Sequence, residues 1–297
     1  MRVLISGASG LIGAALRPAL AAAGHSTAAL VRRASTGDEV QWNPAAPLDA
    51  RKMGGFDSIV HLAGKNISGY WTEKFKREVR ESRVQGTRTI ATATAESFRA
   101  NGAPRVMVAA SAIGYYGNRG DEVLTETSGR GTGFLPEVCQ EWEEACTPAS
   151  EAGVRVVYVR IGVVLAKNGG ALKAMLTPFR LGLGGRVGDG RQWWSWVALD
   201  DVVGAFRFAL EHESVIGAVN AVAPQPVRNE EFTRELGEAL RRPTIFPVPA
   251  FVVRNLFGEM GDALLLASAR VSCERLEGAG YGFRHPLLPE ALRAILT

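Results

Sequence analysis

The chain has 297 residues, 46% of them hydrophobic, 22% charged and 8% aromatic, the make-up of a folded enzyme and not of a disordered, collagenous or coiled-coil chain. Lys and Arg number 34 against 30 Asp and Glu, a formal charge of +4, and the basic residues are dispersed, so nucleic acid is not expected as a partner. Cys139, Cys146 and Cys273 form no Cys-x-x-Cys pair and the four His are scattered singly, which excludes a zinc site and a disulfide framework.

Arg2 to Ser6 is a short apolar run bounded by Gly7, and Leu11 to Ala23 carries apolar residues at helical spacing, which predicts strand, tight turn and helix. Further strands are expected at Thr27 to Val31, Phe56 to Leu62, Arg105 to Ala110 and Arg155 to Ile161, with helices at Glu73 to Arg99 and Leu135 to Glu151. Strands that alternate with helices predict a parallel sheet covered on both faces, an α/β doubly wound fold. A helix over Gly170 to Leu181, a glycine-rich loop over Gly182 to Gly190 and an aromatic strand over Gln192 to Val197 follow. The loop is expected to be a mobile rim of the substrate pocket. A helix at Asp200 to Glu211 and a strand at Ala218 to Ala221 come next, and the remainder reads as mostly helical. No apolar stretch approaches the roughly 18 residues that span a bilayer. With no signal-peptide pattern either, a cytoplasmic protein without a membrane partner is expected.

The first turn, Gly7-Ala8-Ser9-Gly10-Leu11-Ile12-Gly13, lies between strand and helix. That setting lets the backbone approach a pyrophosphate on the helix N-terminus, so dinucleotide binding is expected. An NAD site ends its second strand in an acidic residue about 20 positions beyond the glycines. Here Leu30-Val31-Arg32-Arg33 occupies the place. A guanidinium there suits a 2′-phosphate, so NADP(H) is expected, with Arg32 the stronger of the two candidates. His61-Leu62-Ala63-Gly64 brings small residues to the carboxyl edge of the third strand, with His61 expected to pack under the sheet.

Together with Ser82-Arg83-Val84-Gln85-Gly86-Thr87, Ser111-Ala112-Ile113-Gly114-Tyr115-Tyr116-Gly117 and Arg160-Ile161-Gly162-Val163-Val164-Leu165, these motifs resemble the extended short-chain dehydrogenase/reductases. The likeness is to an atypical branch labelled "epimerase family protein", related to NAD-dependent epimerase/dehydratases and ending in a domain of unknown function. It covers nearly the whole chain. The resemblance implies a Rossmann-type NADP(H)-binding core over residues 1–165 and a smaller, mixed α/β substrate-side lobe over 166–297, with the strand near 218–221 rejoining the core. It implies that the glycine loop, Arg32, Leu62 and Ala63 line the cofactor and that Arg160 to Val163 close over the nicotinamide end. Arg83 stands where the wider group has Asn, and a second guanidinium there is expected to reach the adenosine phosphate. Glu78 is expected to orient it or to bond the ribose, the alternative being an ordinary pair on a solvated helix.

The superfamily's proton-transfer pair, a Tyr followed four residues later by a Lys, is missing. In the helix after the serine-bearing strand its place falls in Phe134-Leu135-Pro136-Glu137-Val138-Cys139-Gln140, no Tyr occurs between Tyr116 and Tyr158, and no Lys between Lys76 and Lys167. Leu135 and Cys139 then form an apolar wall. The remaining candidates are Ser111, for a substrate carbonyl, and Tyr115 or Tyr116, with Arg119 a conceivable helper cation. An unassisted phenol, with a pKa near 10, is only about 0.1% ionised at pH 7, so reduction is favoured over oxidation. A reductase of an unknown small substrate is the first expectation. A catalytically impaired NADP(H)-binding regulator or sensor is the second, and a nucleotide-sugar epimerase the third. A homodimer or a protein partner is compatible with each.

Overall fold

The computed structural model describes all residues from Met1 to Thr297. Its core is a seven-stranded, wholly parallel sheet. In chain order the elements are β1 (Arg2–Ser6), α1 (Leu11–Ala22), β2 (Ser26–Val31), β3 (Val40–Gln41), β4 (Ser58–His61), α2 (Glu73–Asn101), β5 (Val106–Ala112) and α3 (Phe134–Glu144). The strands Arg155–Ile161 and Gly217–Ala221 complete the sheet, whose spatial order is Gly217–Ala221, Arg155–Ile161, β5, β4, β1, β2, β3. The order reverses between β1 and β4, and a crevice for a ligand opens outside the carboxyl ends of strands at such a point.

Alternation along the strands sorts the core into two layers. Val3 and Ile5 of β1 pack with Leu16 and Leu20 of α1 and with Val202 and Phe206 of the helix Leu199–Glu211. Leu4, between them, points to the other face and meets Ile59, Met107, Ile90 and Ala91. A third apolar cluster, around Leu172, Trp196, Phe232 and Leu292, holds the C-terminal helices together. No helix is long and apolar enough to cross a membrane.

Three segments differ from the sequence reading. The helix expected over Leu135 to Glu151 is two, Phe134–Glu144 and Thr147–Glu151. Pro148 has no N–H to continue the ladder, and the Thr147 hydroxyl donates to the Glu144 carbonyl in its place (2.6 Å). The aromatic strand breaks at Ser195: Trp193–Trp194 pairs antiparallel with Val227–Arg228, and Trp196–Ala198 pairs parallel with Val163–Ala166. Ser195 Oγ donates to the Ala269 carbonyl and accepts from the Val271 N–H, which draws the chain sideways. The glycine-rich loop is not free. Gly188 N–H donates to the Val248 carbonyl, Val248 N–H donates to the Arg186 carbonyl, and a Cβ on Gly185 would collide with the Phe246 carbonyl.

His61, at the end of β4, is completely buried, as expected, and stands edge-on to Trp42. Ser6 Oγ accepts from the Leu62 and Ala63 N–H groups, so its single proton goes to His61 Nδ1, 2.5 Å away. The ring is therefore neutral with its proton on Nε2, which has no partner. Burial lowers its pKa to about 4. The unfolded chain binds this proton near pH 6.5, so stability should fall as pH drops from there to about 4. The loss is on the order of 3 kcal/mol. Urea unfolding across that range should show a flatter pH dependence in His61→Gln; parallel profiles would refute the buried neutral ring.

Candidate functional site

The glycine turn is shaped by close approach. Gly7 has φ +70°, and a Cβ on it would lie 2.8 Å from the Leu62 carbonyl carbon. One on Gly13 would lie only 2.3 Å from the Gly7 carbonyl oxygen. Glycine at both positions brings α1 onto β1 and β1 onto the end of β4. Gly10 caps α1 with no side chain bonded to the first-turn N–H groups. Ser9 and Gly10 are exposed and Leu11 and Ile12 half-buried. An unsatisfied, positively polarised helix end beside β1 suits the pyrophosphate of a dinucleotide.

At the end of β2, Val31 is half-buried and Arg32 exposed. Arg33 is engaged by Glu39 through two short bonds (2.5 and 2.7 Å). Arg32 instead borders a cavity of about 470 Å³ lined also by Gln41, Trp42, Pro44, Leu48 and Lys52. The cavity opens beside the end of β2, and the Arg32 guanidinium has no carboxylate partner. Leu62, Ala63 and Gly64 continue from β4 at the carboxyl edge.

Arg83 and Glu78 are elsewhere than expected. Glu78 forms its ion pair with Lys65, which lowers the Glu78 pKa, and it neither orients Arg83 nor remains free for a ribose. Arg83 points to α3: Nη1 donates to the Lys65 and Val79 carbonyls (3.0 and 3.2 Å) and the guanidinium lies 5.0 Å from the Trp142 ring centre. It flanks β4 and β5, on the side of the switch point away from Arg32.

The region around the missing pair is organised by Glu143, a carboxylate near Cys139 that the sequence reading did not place among the site residues. Glu143 takes two bonds from Arg160, Nε to Oε1 and Nη2 to Oε2, both 2.8 Å, with side-chain exposures of 12% and 5%. Ser111 Oγ donates to the same Oε1 (2.7 Å). Arg160 Nη1 donates to Tyr116 Oη (3.0 Å), and Tyr116 donates to Asn220 Oδ1 (2.7 Å). Asn220 Nδ2 in turn donates to the Ser272 carbonyl, and its backbone N–H donates to Glu126 Oε1. Every polar group in this chain of contacts has a partner.

That network corrects three expectations, and a separate contact corrects a fourth. Arg160 does not touch a cofactor with its side chain, because all of its guanidinium nitrogens are engaged and the residue is 4% exposed. Ser111 is 2% exposed with its hydroxyl held by Glu143, so it does not meet a substrate carbonyl. Tyr116 is wholly buried, with a pKa raised by burial, and is a structural phenol. Arg119 is occupied by Glu122 and the Gly129 carbonyl. Gly162 and Val163 follow the Arg155–Ile161 strand, half-buried, and a Cβ on Gly162 would strike the Ser195 carbonyl.

Tyr115 is the phenol left over. Residues 113–116 form a 3-10 turn, whose tight winding aims neighbouring side chains apart. Tyr116 enters the core, and Tyr115 stays half-buried with a hydroxyl that has no protein partner. The Arg160 guanidinium carbon lies 3.6 Å from the Tyr115 ring centre. Leu135 and Cys139 abut the same turn, since a Cβ on Gly114 would lie 3.5 and 3.6 Å from them. Cys139 is buried, its thiol pushed up to about 12 first by burial and then by Glu143. Such a thiol is inert as a nucleophile.

Removing one partner of a buried ion pair leaves the other charge uncompensated, at about 3–5 kcal/mol. Glu143→Ala should lower unfolding stability by that order in urea titrations, and adding Arg160→Met should recover part of the loss. A single variant as stable as wild type would contradict the pair's structural weight.

Residues 3–221 match the model of the NAD dependent epimerase/dehydratase family, and residues 248–295 match a domain of unknown function. An epimerase family protein of Mycobacterium bovis is 43% identical over 98% of this chain and 96% of its own. The human epimerase family protein SDR39U1 is 36% identical over the full length of both chains. Its crystal structure with NADPH superposes with a TM-score of 0.90, at 35% identity over 99% of each chain. UDP-glucose 4-epimerase of Thermus thermophilus, in complex with NAD, has a TM-score of 0.76 at 19% identity and shares the fold. The chain belongs to the NAD dependent epimerase/dehydratase family and carries its parallel-sheet dinucleotide-binding architecture.

Proposed function

We propose that the protein binds NADP(H) and reduces a small carbonyl compound. The observation that carries the cofactor choice is Arg32: an exposed guanidinium at the end of β2, without a carboxylate partner, where an NAD site has an acid. The bare α1 N-terminus and the glycine contacts fit the pyrophosphate. The human relative's crystal structure with NADPH supports the same choice.

When bound, the reduced nicotinamide supplies a hydride. The chain's own part is to hold the carbonyl and to give its oxygen a proton. Tyr115 is suited to this, with a free hydroxyl and a ring stacked on a permanently charged guanidinium. That contact holds the ring in place and leaves the hydroxyl free. Arg160 is a positioning residue here, because Glu143 fixes its plane and it acts only through the Tyr115 ring. The apolar Leu135 and Cys139 relay no proton. This weakens the reverse reaction and with it the oxidation and re-reduction cycle that an epimerase needs. A second reading, a regulator that holds NADP(H) as a signal, draws on the exposed apolar side chains Leu181, Leu183, Ile245 and Phe246. Co-purification of a partner that changes with NADPH separates it from the first.

Calorimetry should find NADPH bound about tenfold or more tightly than NADH, since each charged hydrogen bond to the 2′-phosphate contributes roughly 1.5–3 kcal/mol. Arg32→Ala should erase that difference and leave NADH binding nearly unchanged; equal affinities in wild type would refute the assignment. In a screen of carbonyl compounds with NADPH, Tyr115→Phe should lower any turnover about tenfold or more. Full activity of that variant would move the proton donor elsewhere.

A further inference from the structure

Three guanidiniums are drawn well into the protein. Arg155 is satisfied by the carbonyls of Ala209, Leu210 and Val215, and Arg160 by Glu143 and Tyr116. Arg83 is the exception. Its two hydrogen bonds both leave from Nη1, while Nε and Nη2 have no protein partner and neither is sealed from solvent. No carboxylate neutralises it: the Glu five residues earlier is taken by Lys65, and burial beside Trp142 and Gly64 disfavours the charged form. A desolvated cation without a counter-ion is costly, and two adjacent N–H donors in a rigid plane match the two oxygens of a carboxylate.

Position narrows the ligand. With the adenosine half of a dinucleotide over β2 and Arg32, its nicotinamide half lies beyond the switch point, over β4 and β5. Arg83 flanks that half, 3.5 Å from where a Cβ on Gly64 would be, and its field reaches Cys139 on α3. Tyr115 borders the same helix from the β5 side, through the Gly114 turn packed on Leu135 and Cys139.

We propose that Arg83 binds the carboxylate of the substrate, and that the substrate class is a 2-oxo acid reduced to a 2-hydroxy acid. This rests on the NADP(H) reductase reading. The carbonyl carbon accepts a hydride from NADPH, the π electrons move to the carbonyl oxygen, and that oxygen takes the Tyr115 proton. The acid gains two electrons, NADPH is oxidised to NADP⁺, and solvent reprotonates Tyr115.

The test is calorimetric titration of oxamate, a non-reducible mimic of a 2-oxo acid, into the NADPH-saturated protein. Wild type should bind it, and Arg83→Leu should bind it at least about tenfold more weakly with NADPH affinity unchanged. Arg83→Lys keeps the charge and loses the fork, so it should give an intermediate loss and serves if the Leu variant does not fold. Absence of oxamate binding to wild type, or equal binding to wild type and both variants, would overturn the proposal. A parallel fall in NADPH affinity would overturn it too, by assigning Arg83 to the cofactor. Oxamate binding through Arg83 with no turnover of any 2-oxo acid would uphold the carboxylate site and remove the reductase reading. Reduction of uncharged carbonyl compounds without oxamate binding would do the reverse.

Discussion

The bidentate pair between Glu143 and Arg160 is the constraint on which the candidate site depends. It ties the last turn of α3 to the strand Arg155–Ile161, gathers the Ser111 hydroxyl from β5, and through Arg160 fixes Tyr116 against Asn220. A buried ion pair adds little net stability over a well-packed apolar substitute, but it tolerates few geometries. Its effect is to orient. With Ser111 and Tyr116 held inward, Tyr115 is left with an unengaged hydroxyl beside the apolar face of α3. A cation thus stands behind a phenol, as the superfamily's Tyr and Lys would provide. Here it comes from a strand and from beneath the ring.

The crevice has one unpaired guanidinium on each side of the switch point. Arg32 stands exposed at the end of β2, and Arg83 half-buried between α2 and α3. The difference in burial gives them different work. An exposed cation is screened and adds affinity for a phosphate that is itself half-solvated. A desolvated one discriminates strongly between a ligand that neutralises it and one that does not. The first is suited to choosing between two cofactors, the second to choosing a substrate.

The sheet, the glycine turn and the Arg at the end of β2 were legible because each is local: period, turn chemistry and a fixed offset along one βαβ unit. The vacancy at Leu135 and Cys139 was legible for the same reason. What filled it was not, because Glu143, Arg160, Tyr116 and Asn220 meet only after four separate elements have packed. One signal was present. Glu143 continues the Leu135 and Cys139 face by one more turn, so extending the i, i+4 pattern would have put a carboxylate beside the empty position. Arg83 misled for a simple reason. Its place in the motif, where the wider group has Asn, said nothing about which way a longer side chain would turn, and the guanidinium lies against Trp142 on α3. Ser111 was misjudged because its place at the end of a strand does not reveal that the Glu143 carboxylate accepts its hydroxyl.

In the proposed reaction, proton delivery lies with Tyr115 instead of a Tyr and Lys pair on α3, and Arg83 holds the carboxylate of the same substrate. A crystal structure of the protein with NADPH and oxamate tests it most directly. The account predicts the 2′-phosphate on Arg32, the oxamate carboxylate in two bonds to Arg83, and its amide oxygen within about 3 Å of Tyr115 Oη. A structure with Arg83 on the cofactor's phosphates, or with Tyr115 turned away from the oxamate, would contradict it.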